Sequence, residues 1–274
     1  MSQSAEDLYP LAGKSEELEK SIIEIEDVEI GGRDPTIIVS SYHIEDEEQL
    51  LTFATALKST GAKILLGGVY KPQVSPYFNQ EVDDSKLKIL TKVKEKIGLL
   101  RIVEVMDVRQ VESIAEYADV FKIGSQDMQN YPLLQEVGKY NLPVILSRGM
   151  SATIREWLLA AEYILNAGNQ NVILCEKGVK GFQQHTENIF DISVVPIIRQ
   201  LSHLPIIIDP GQAAGRSDLV APLAKAGLAA GADGVMMEIH SEANKLFYNK
   251  EQSLLLSQFE ELIDDIGVNK NVLS

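Results

Sequence analysis

The chain has 274 residues, with 25 Lys and Arg against 40 Asp and Glu, giving a formal net charge of −15. That length fits one large α/β domain able to bury a core without disulfide or metal staples, and 45% hydrophobic with 24% charged residues excludes chain-wide disorder. The negative charge opposes nonspecific binding to nucleic acid or to an anionic membrane, so neither is expected as a partner.

Residues 1–20 form an acidic lead-in with no apolar stretch of secretory type, and residues 21–274 are expected to make a single domain. The acidity is concentrated early: the first 50 residues hold 14 acids and 3 bases, a net of −11, and the rest hold 26 and 22, a net of −4. Segment 21–30 (SIIEIEDVEI) alternates apolar and acidic residues and predicts a small hairpin. After it, short apolar runs alternate with stretches of helical period. The strands are expected at 36–40, 63–67, 101–105, 119–123, 143–147, 171–175, 205–209 and 234–239. Each is nearly continuously apolar, as a parallel strand buried on both faces must be. Helices are expected near 45–59, 84–97, 108–117, 129–138, 152–166, 191–201, 217–230 and 251–265. The fifth has Trp157, Leu158, Ala161 and Ile164 at helical spacing, with Ser151 placed to cap it. The acidic run at 45–48 suits the positive end of the first helix.

Eight strands alternating with eight helices predict an α/β fold, a (β/α)8 TIM barrel with a short N-terminal hairpin closing its N-terminal end. A doubly wound sheet is the alternative. In a barrel, function sits at the C-terminal ends of the strands. Those ends read Ser40 to His43, Gly67 to Pro72, Glu104 to Asp107, Lys122 to Gln126, Ser147 to Met150, Cys175 to Gly178, Asp209 to Gln212 and Glu238 to His240. Nearly all carry charged or hydrogen-bonding residues. The single Cys175 excludes an internal disulfide and a multi-Cys zinc site, and suits a reducing cytoplasm. As a lone strand Cys it reads as a small buried apolar group.

These strand ends, with longer stretches such as VEIGGRDPTIIVSSYHIEDEEQL, GGVYKPQVSPY, IGSQDMQNYPLLQEVGK, SRGMSATIREWLLAAEYIL and LPIIIDPGQAAGRSDLVAPLAKAGLAAGADG, resemble the 3-deoxy-D-arabino-heptulosonate 7-phosphate (DAHP) synthase family in its short bacterial form. The resemblance spans about residues 21–265. It implies a TIM barrel and a lineage of enzymes joining phosphoenolpyruvate to a sugar aldehyde with a divalent metal. It also implies a homo-oligomer, a dimer or tetramer.

The family's metal ligands do not carry over. The matching positions are Tyr42, Gln212, Glu238 and Asn249, and only Glu238 keeps the family's residue. Tyr and neutral amides are poor ligands for a catalytic divalent ion, so no metal and no other cofactor is expected. The family's anion-binding motifs read Lys71-Pro72-Gln73, Gly124-Ser125-Gln126, Ser147-Arg148-Gly149 and Glu176-Lys177-Gly178, with three cations lost and one Arg replaced by Lys177. Each lost charge-assisted hydrogen bond costs about 1.5–3 kcal/mol, so DAHP synthesis itself is not expected. Lys71, Ser75, Pro76, Glu104, Asp107, Arg148, Met150, Glu176, Asp209, Arg216 and Glu238 do fit the family pattern.

Several residues have been gained. Lys122 interrupts an apolar strand. If it faces the barrel interior it lies near Glu104 and Glu238, and it reads as a Schiff-base nucleophile, an acid/base group, a clamp for a substrate carboxylate, or a structural partner of a buried Glu. His240, two residues past Glu238, shares its face and is a general acid/base candidate. His43 titrates near neutrality at a strand end or is simply a loop residue. Tyr42 donates a hydrogen bond or packs. His185 and His203 read as structural.

The expected function is therefore a divergent, metal-independent enzyme of this family, an aldolase, transferase or lyase. It would act on a small carboxylated metabolite, a 2-oxo acid or shikimate-type acid, by aldol-type carbon–carbon bond formation or cleavage or by elimination. Lys122, Glu104, Glu238, His240 and Asp107 are the catalytic candidates. Lys71, Gln126, Arg148, Lys177, Arg216, Tyr42, Gln212 and His43 are the substrate-binding candidates. The rival readings are a non-catalytic metabolite sensor or partner of a true synthase, and a genuine synthase with an altered site.

Overall fold

The computed structural model describes residues 5–41, 46–69, 84–240 and 251–267, the side chains of Glu6 and Asp7 excepted. In chain order the strands are β1 (Ile23–Ile25), β2 (Val28–Ile30), β3 (Thr36–Ser41), β4 (Ile64–Gly67), β5 (Leu100–Glu104), β6 (Val120–Ile123), β7 (Val144–Ser147), β8 (Val172–Glu176), β9 (Ile206–Ile208), β10 (Gly234–His240) and β11 (Leu254–Leu255). The helices are α1 (Ala5–Leu8), α2 (Glu47–Ser59), α3 (Asp84–Ile97), α4 (Val111–Ala115), α5 (Tyr131–Val137), α6 (Ile154–Asn166), α7 (Val194–Leu201), α8 (Pro210–Ala214), α9 (Ser217–Ala229) and α10 (Leu256–Ile266).

Strands β3 to β10 pair in parallel, each with the next, and β10 returns to β3 through Gly234 opposite Thr36 and Glu238 opposite Ser40. The sheet is therefore a closed eight-stranded barrel, as expected. All eight predicted strands form, within one or two residues of the expected bounds.

Alternation along the strands sorts the core into two. Ile37, Val39, Leu65, Val103, Phe121, Val144, Leu146, Val172, Leu174, Val235 and Met237 face out and pack under the helices. Ile38, Ile64, Leu66, Leu100, Ile102, Val120, Ile145, Ile173, Cys175, Ile207 and Met236 face in, and they form one cluster with Ile23, Ile25, Val28 and Ile30 of the β1–β2 hairpin. The hairpin's apolar face thus plugs the barrel interior, and its alternate residues Glu24 and Glu29 face away; Glu24 is exposed. The lead-in is tied to the barrel's exterior: Ala12 N donates to Glu162 Oε1 at 2.7 Å, and Ser202 Oγ donates to the Ala12 carbonyl at 2.5 Å.

Some details differ from the sequence expectation. The fifth predicted helix is capped by Thr153, not Ser151. Thr153 has the extended backbone that a cap needs (φ −70°, ψ 161°) and forms a reciprocal capping box with Glu156. The helix expected over 251–265 starts only at Leu256, because Leu254–Leu255 instead pair with Ile239–His240. The helix expected at 129–138 is shortened by Asn130, whose side chain caps it. The segment 108–117 begins as a single 3₁₀ turn over Val108–Gln110 before α4. At the first long helix Asp46 is the cap, and Glu47 and Glu48 occupy the first turn as predicted.

Ile30 is fully buried between hairpin and barrel. Ile30→Ala is expected to lower the unfolding free energy by about 2–5 kcal/mol in a urea titration. A loss below about 0.5 kcal/mol, the range of ordinary surface changes, would contradict the plug.

Candidate active site

The two-residue period that turns Ile38, Ile102, Ile173, Ile207 and Met236 inward continues past the apolar layer. The next inward positions are Ser40, Glu104, Lys122, Ser147, Lys177, Asp209 and Glu238, followed by His240. Register agrees: Glu238 lies opposite Ser40, Glu104 opposite Lys122, and Ser147 opposite Cys175. The C-terminal end of the barrel is thus lined by polar side chains seated directly on the apolar plug.

Lys122 is almost fully buried, and its Nζ donates to Glu104 Oε2 at 2.8 Å. Gly124 makes room for this pair, because a Cβ there would overlap the Glu104 carboxylate. Burial pushes the Glu104 carboxyl up, but the charge and hydrogen bond of Lys122 and the charge of Lys177 together hold it below its usual range. Lys177 is half-buried and within electrostatic reach of Lys122, Asp209 and Glu104. Desolvation, then the neighbouring Lys122 charge, push its ammonium down, against Asp209 and Glu104. Asp209 caps α8 by accepting from Gln212 N at 3.1 Å. Its carboxyl is pushed up by burial, against Lys177 and Lys122. Cys175, walled in beneath them, has its thiol pushed up to about 12 by burial. It is not a nucleophile near neutral pH, in keeping with the sequence reading.

On β10, Glu238 and His240 are both buried. Gln252 Nε2 donates to Glu238 Oε2 at 3.0 Å, so the short β11 connection orients this carboxylate.

Arg148 is directed elsewhere. Its Nη1 donates to Glu176 Oε2 and Asp191 Oδ2, each at 3.0 Å, and its Nε donates to the Ala152 carbonyl at 3.0 Å. Glu176 in turn accepts from Gly178 N at 2.7 Å. The network ties together the loops after β7 and β8 and sits on the outward phase of the strands. Arg148 was expected to hold a substrate anion, but its guanidinium is committed to these two carboxylates. Asp107 caps the 3₁₀ turn after β5 and pairs with Arg109. Hydrogen bonds from Arg109 lower its carboxyl to about 2. Asp107, a catalytic candidate from the sequence, thus lies at a cap after β5 and not among the inward strand positions. Arg216 is about half exposed beyond α8 and pairs with Asp218 at 2.7 Å. Gln126 is exposed, and Gln212 is half-buried on α8.

The structure therefore brings together Glu104, Lys122 and Lys177, with Glu238 and His240 on the same inward phase. Tyr42, His43, Lys71, Gln73, Ser75, Pro76 and Asn249 lie outside the described residues. Sequence reasoning gave no role to Asp209, although alternation from Ile207 points it inward. It also missed Gln252 and Asp191, which lie in loops and carry no local periodic signal.

The four positions that match the family's metal ligands offer one carboxylate, a phenol and two neutral amides. Among the described residues no three His, Cys, Asp or Glu side chains are grouped to hold a metal ion. Glu238 is instead engaged by the neutral donor of Gln252. This donor set does not fit a catalytic divalent ion.

A closed parallel barrel with ionisable groups converging at the C-terminal ends of its strands is the architecture of a (β/α)8-barrel enzyme. The chain belongs to the DAHP synthetase I family, which it matches over residues 15–270. It is 42% identical over 258 residues to the phospho-2-dehydro-3-deoxyheptonate aldolase of Thermotoga maritima, covering 94% of this chain and 76% of that protein. A 2-dehydro-3-deoxyphosphooctonate aldolase of Geobacter sulfurreducens is 26% identical over 260 residues, covering 88% of this chain and 94% of that one. The solved structure of a truncated DAHP synthase from Thermotoga maritima superposes with a TM-score of 0.88 at 39% identity, covering 95% of each chain. The protein is accordingly an enzyme of this family, and the barrel expected from its sequence is the family's fold.

The Glu104–Lys122 pair sets a pH dependence. Because Glu104 is held below its ordinary value of 4.5 when folded, its contribution to stability is complete above about that pH. It is lost as pH falls through the folded value. In a double-mutant cycle, Lys122→Met alone is expected to cost about 3–5 kcal/mol at pH 7 by leaving a buried carboxylate unpaired. Adding Glu104→Gln should recover much of that loss. The coupling measured by urea unfolding should shrink as pH is lowered below 4.5. A coupling that is constant with pH would contradict the pairing.

Proposed function

We propose that this enzyme works without a metal on a small carboxylated metabolite, a 2-oxo acid or a shikimate-type acid. The reaction would form or break a carbon–carbon bond beside a carbonyl, or eliminate. The observation that carries the reading is the inward group itself. Glu104, Lys122, Lys177, Asp209 and Glu238 follow one inward phase with His240 one step beyond Glu238, while the family's metal-ligand positions hold residues unsuited to a metal.

Such a layer supplies what this chemistry needs. Lys122 and Lys177 place cationic donors within low-dielectric walls in a chain that is acidic as a whole, where each is suited to meet an anionic group of a substrate. Lys71 and Arg216 remain candidates to bind a further anionic group of the substrate. Bond making or breaking next to a carbonyl requires a base that takes a proton from carbon and an acid that supports the oxygen. Glu238, oriented by Gln252, and His240 beside it are suited to proton transfer. Asp209, whose carboxyl burial pushes up, is suited to act as an acid. The Arg148–Glu176–Asp191 network would hold the loops in position without touching substrate. With a single buried Cys175 and no need for disulfides, the protein suits the cytoplasm.

The test is turnover against a panel of 2-oxo acids and shikimate-type acids, each with and without aldehyde acceptors, before and after exhaustive chelation. Conversion that survives chelation and falls about 10²–10⁴-fold in Glu238→Gln is the expected outcome. Metal-dependent condensation of phosphoenolpyruvate with erythrose 4-phosphate would overturn the proposal. Tight binding of an acid with no conversion would favour the sensor reading instead.

A further inference from the structure

Two lysines enter the barrel mouth, and their surroundings divide their roles. Lys122 is nearly fully buried and salt-bridged to Glu104 at 2.8 Å. Its charge is held in place, and its amine is directed at a carboxylate. Lys177, just past the end of β8, has no hydrogen bond or ion pair among the described residues. The β8–β9 register pairs Cys175 with Ile207, and Asp209 N donates to the Glu176 carbonyl at 2.8 Å, so Lys177 follows beside Asp209 above the apolar pair Cys175 and Ile207 and within electrostatic reach of Lys122. Asp209 uses Oδ1 to cap α8, and among the described residues its Oδ2 has no hydrogen-bond partner. An unpaired amine, a fixed positive neighbour, a carboxyl with a spare oxygen and an apolar floor together form the setting in which a lysine attacks a carbonyl.

We propose that Lys177 is the Schiff-base nucleophile of this enzyme, taking the carbonyl of a 2-oxo acid, with Asp209 as its proton carrier and Lys122 as the cation that faces the substrate carboxylate. This rests on the metal-independent reading above and gives it a specific step. The neutral Lys177 amine adds to the carbonyl carbon; a C–N bond forms as the C=O π bond breaks, and the oxygen takes a proton from Asp209. The nitrogen then loses a proton to the Asp209 carboxylate. Asp209 returns that proton to the hydroxyl, which leaves as water as the C=N bond forms. Amine and ketone give imine and water, with no oxidant or reductant. Protonated, the imine withdraws electrons from the adjacent carbon. The same environment pushes the Lys177 ammonium down and so raises the share of reactive amine.

The experiment incubates the 274-residue protein with pyruvate, a minimal 2-oxo acid, then adds sodium borohydride and maps the adduct by peptide mass spectrometry. The expected result is one reduced pyruvate adduct per chain on Lys177. It should be absent in Lys177→Arg, which keeps the charge, and retained in Lys180→Arg, a change at an exposed lysine outside the layer. An adduct on Lys122, or none in the wild-type protein, would overturn the proposal. If no adduct forms while chelator-resistant turnover persists, the Schiff base fails and the metal-independent function stands. If the adduct forms but no acid in the panel is converted, the nucleophile stands and the proposed reaction on these acids fails.

Discussion

The constraint on which the rest of the structure depends is the two-residue alternation of a closed parallel barrel. Eight strands whose inward residues must fill a narrow interior leave little freedom: each strand puts an aliphatic side chain at a shared level, and the hairpin supplies the lowest layer. Once that level is fixed, the residues two further along are forced inward as well. Glu104, Lys122, Asp209 and Glu238 are therefore neighbours because the core beneath them is apolar and in register. No local motif brings them together, since they come from four different strands. Closure of β10 onto both β3 and β9 sets Glu238 opposite Ser40 and next to the strand that leads into Asp209.

Taking several charges from water into one space is costly, and the arrangement offsets that cost by alternating signs. Lys122 is placed against Glu104, and Lys177 lies near Asp209. Desolvation and pairing act on each group in opposite directions. The outcomes differ by position: Glu104 is held ionised, Asp209 is pushed toward its neutral form, and Lys177 toward its neutral amine. Carboxyls whose environments push their pKa values apart are what acid and base roles require of a single site. Arg148 and Glu176 follow the opposite strand phase. They stabilise the loops after β7 and β8, although their sequence position is as close to the strand ends as that of any pocket residue.

The fold was legible because its signal is repetitive. Continuous apolar runs such as Val144–Leu146 and Ile206–Ile208 mark strands buried on both faces, and eight of them at regular spacing leave few alternatives. The pocket was legible where alternation alone decides, as for Lys122 and Glu238. It was not legible where a polar residue's partner lies far along the chain. The sequence marks Arg148 as a cation at a strand end, but nothing local shows that Asp191 and Glu176 engage it. Asp107 likewise reads as a strand-end acid, and only its extended backbone and its bond to Arg109 N make it a cap. Gln252 lay hidden within an expected helix, because two residues of β-pairing override a weak helical pattern.

The charge asymmetry of the chain fits this account. The excess of acid belongs mainly to the lead-in, the hairpin and the start of the first helix, while the barrel mouth concentrates Lys122 and Lys177. The central claim is that this polar layer receives an organic acid and does so without a metal. The most direct measurement is a crystal structure of the protein soaked with a 2-oxo acid, with anomalous diffraction collected above the absorption edges of the first-row metals. The account predicts the acid's carbonyl carbon bonded to or directly facing Lys177, its carboxylate toward Lys122, and no anomalous peak beside Glu238. A metal peak held by Glu238 with His240 or His43 would contradict it.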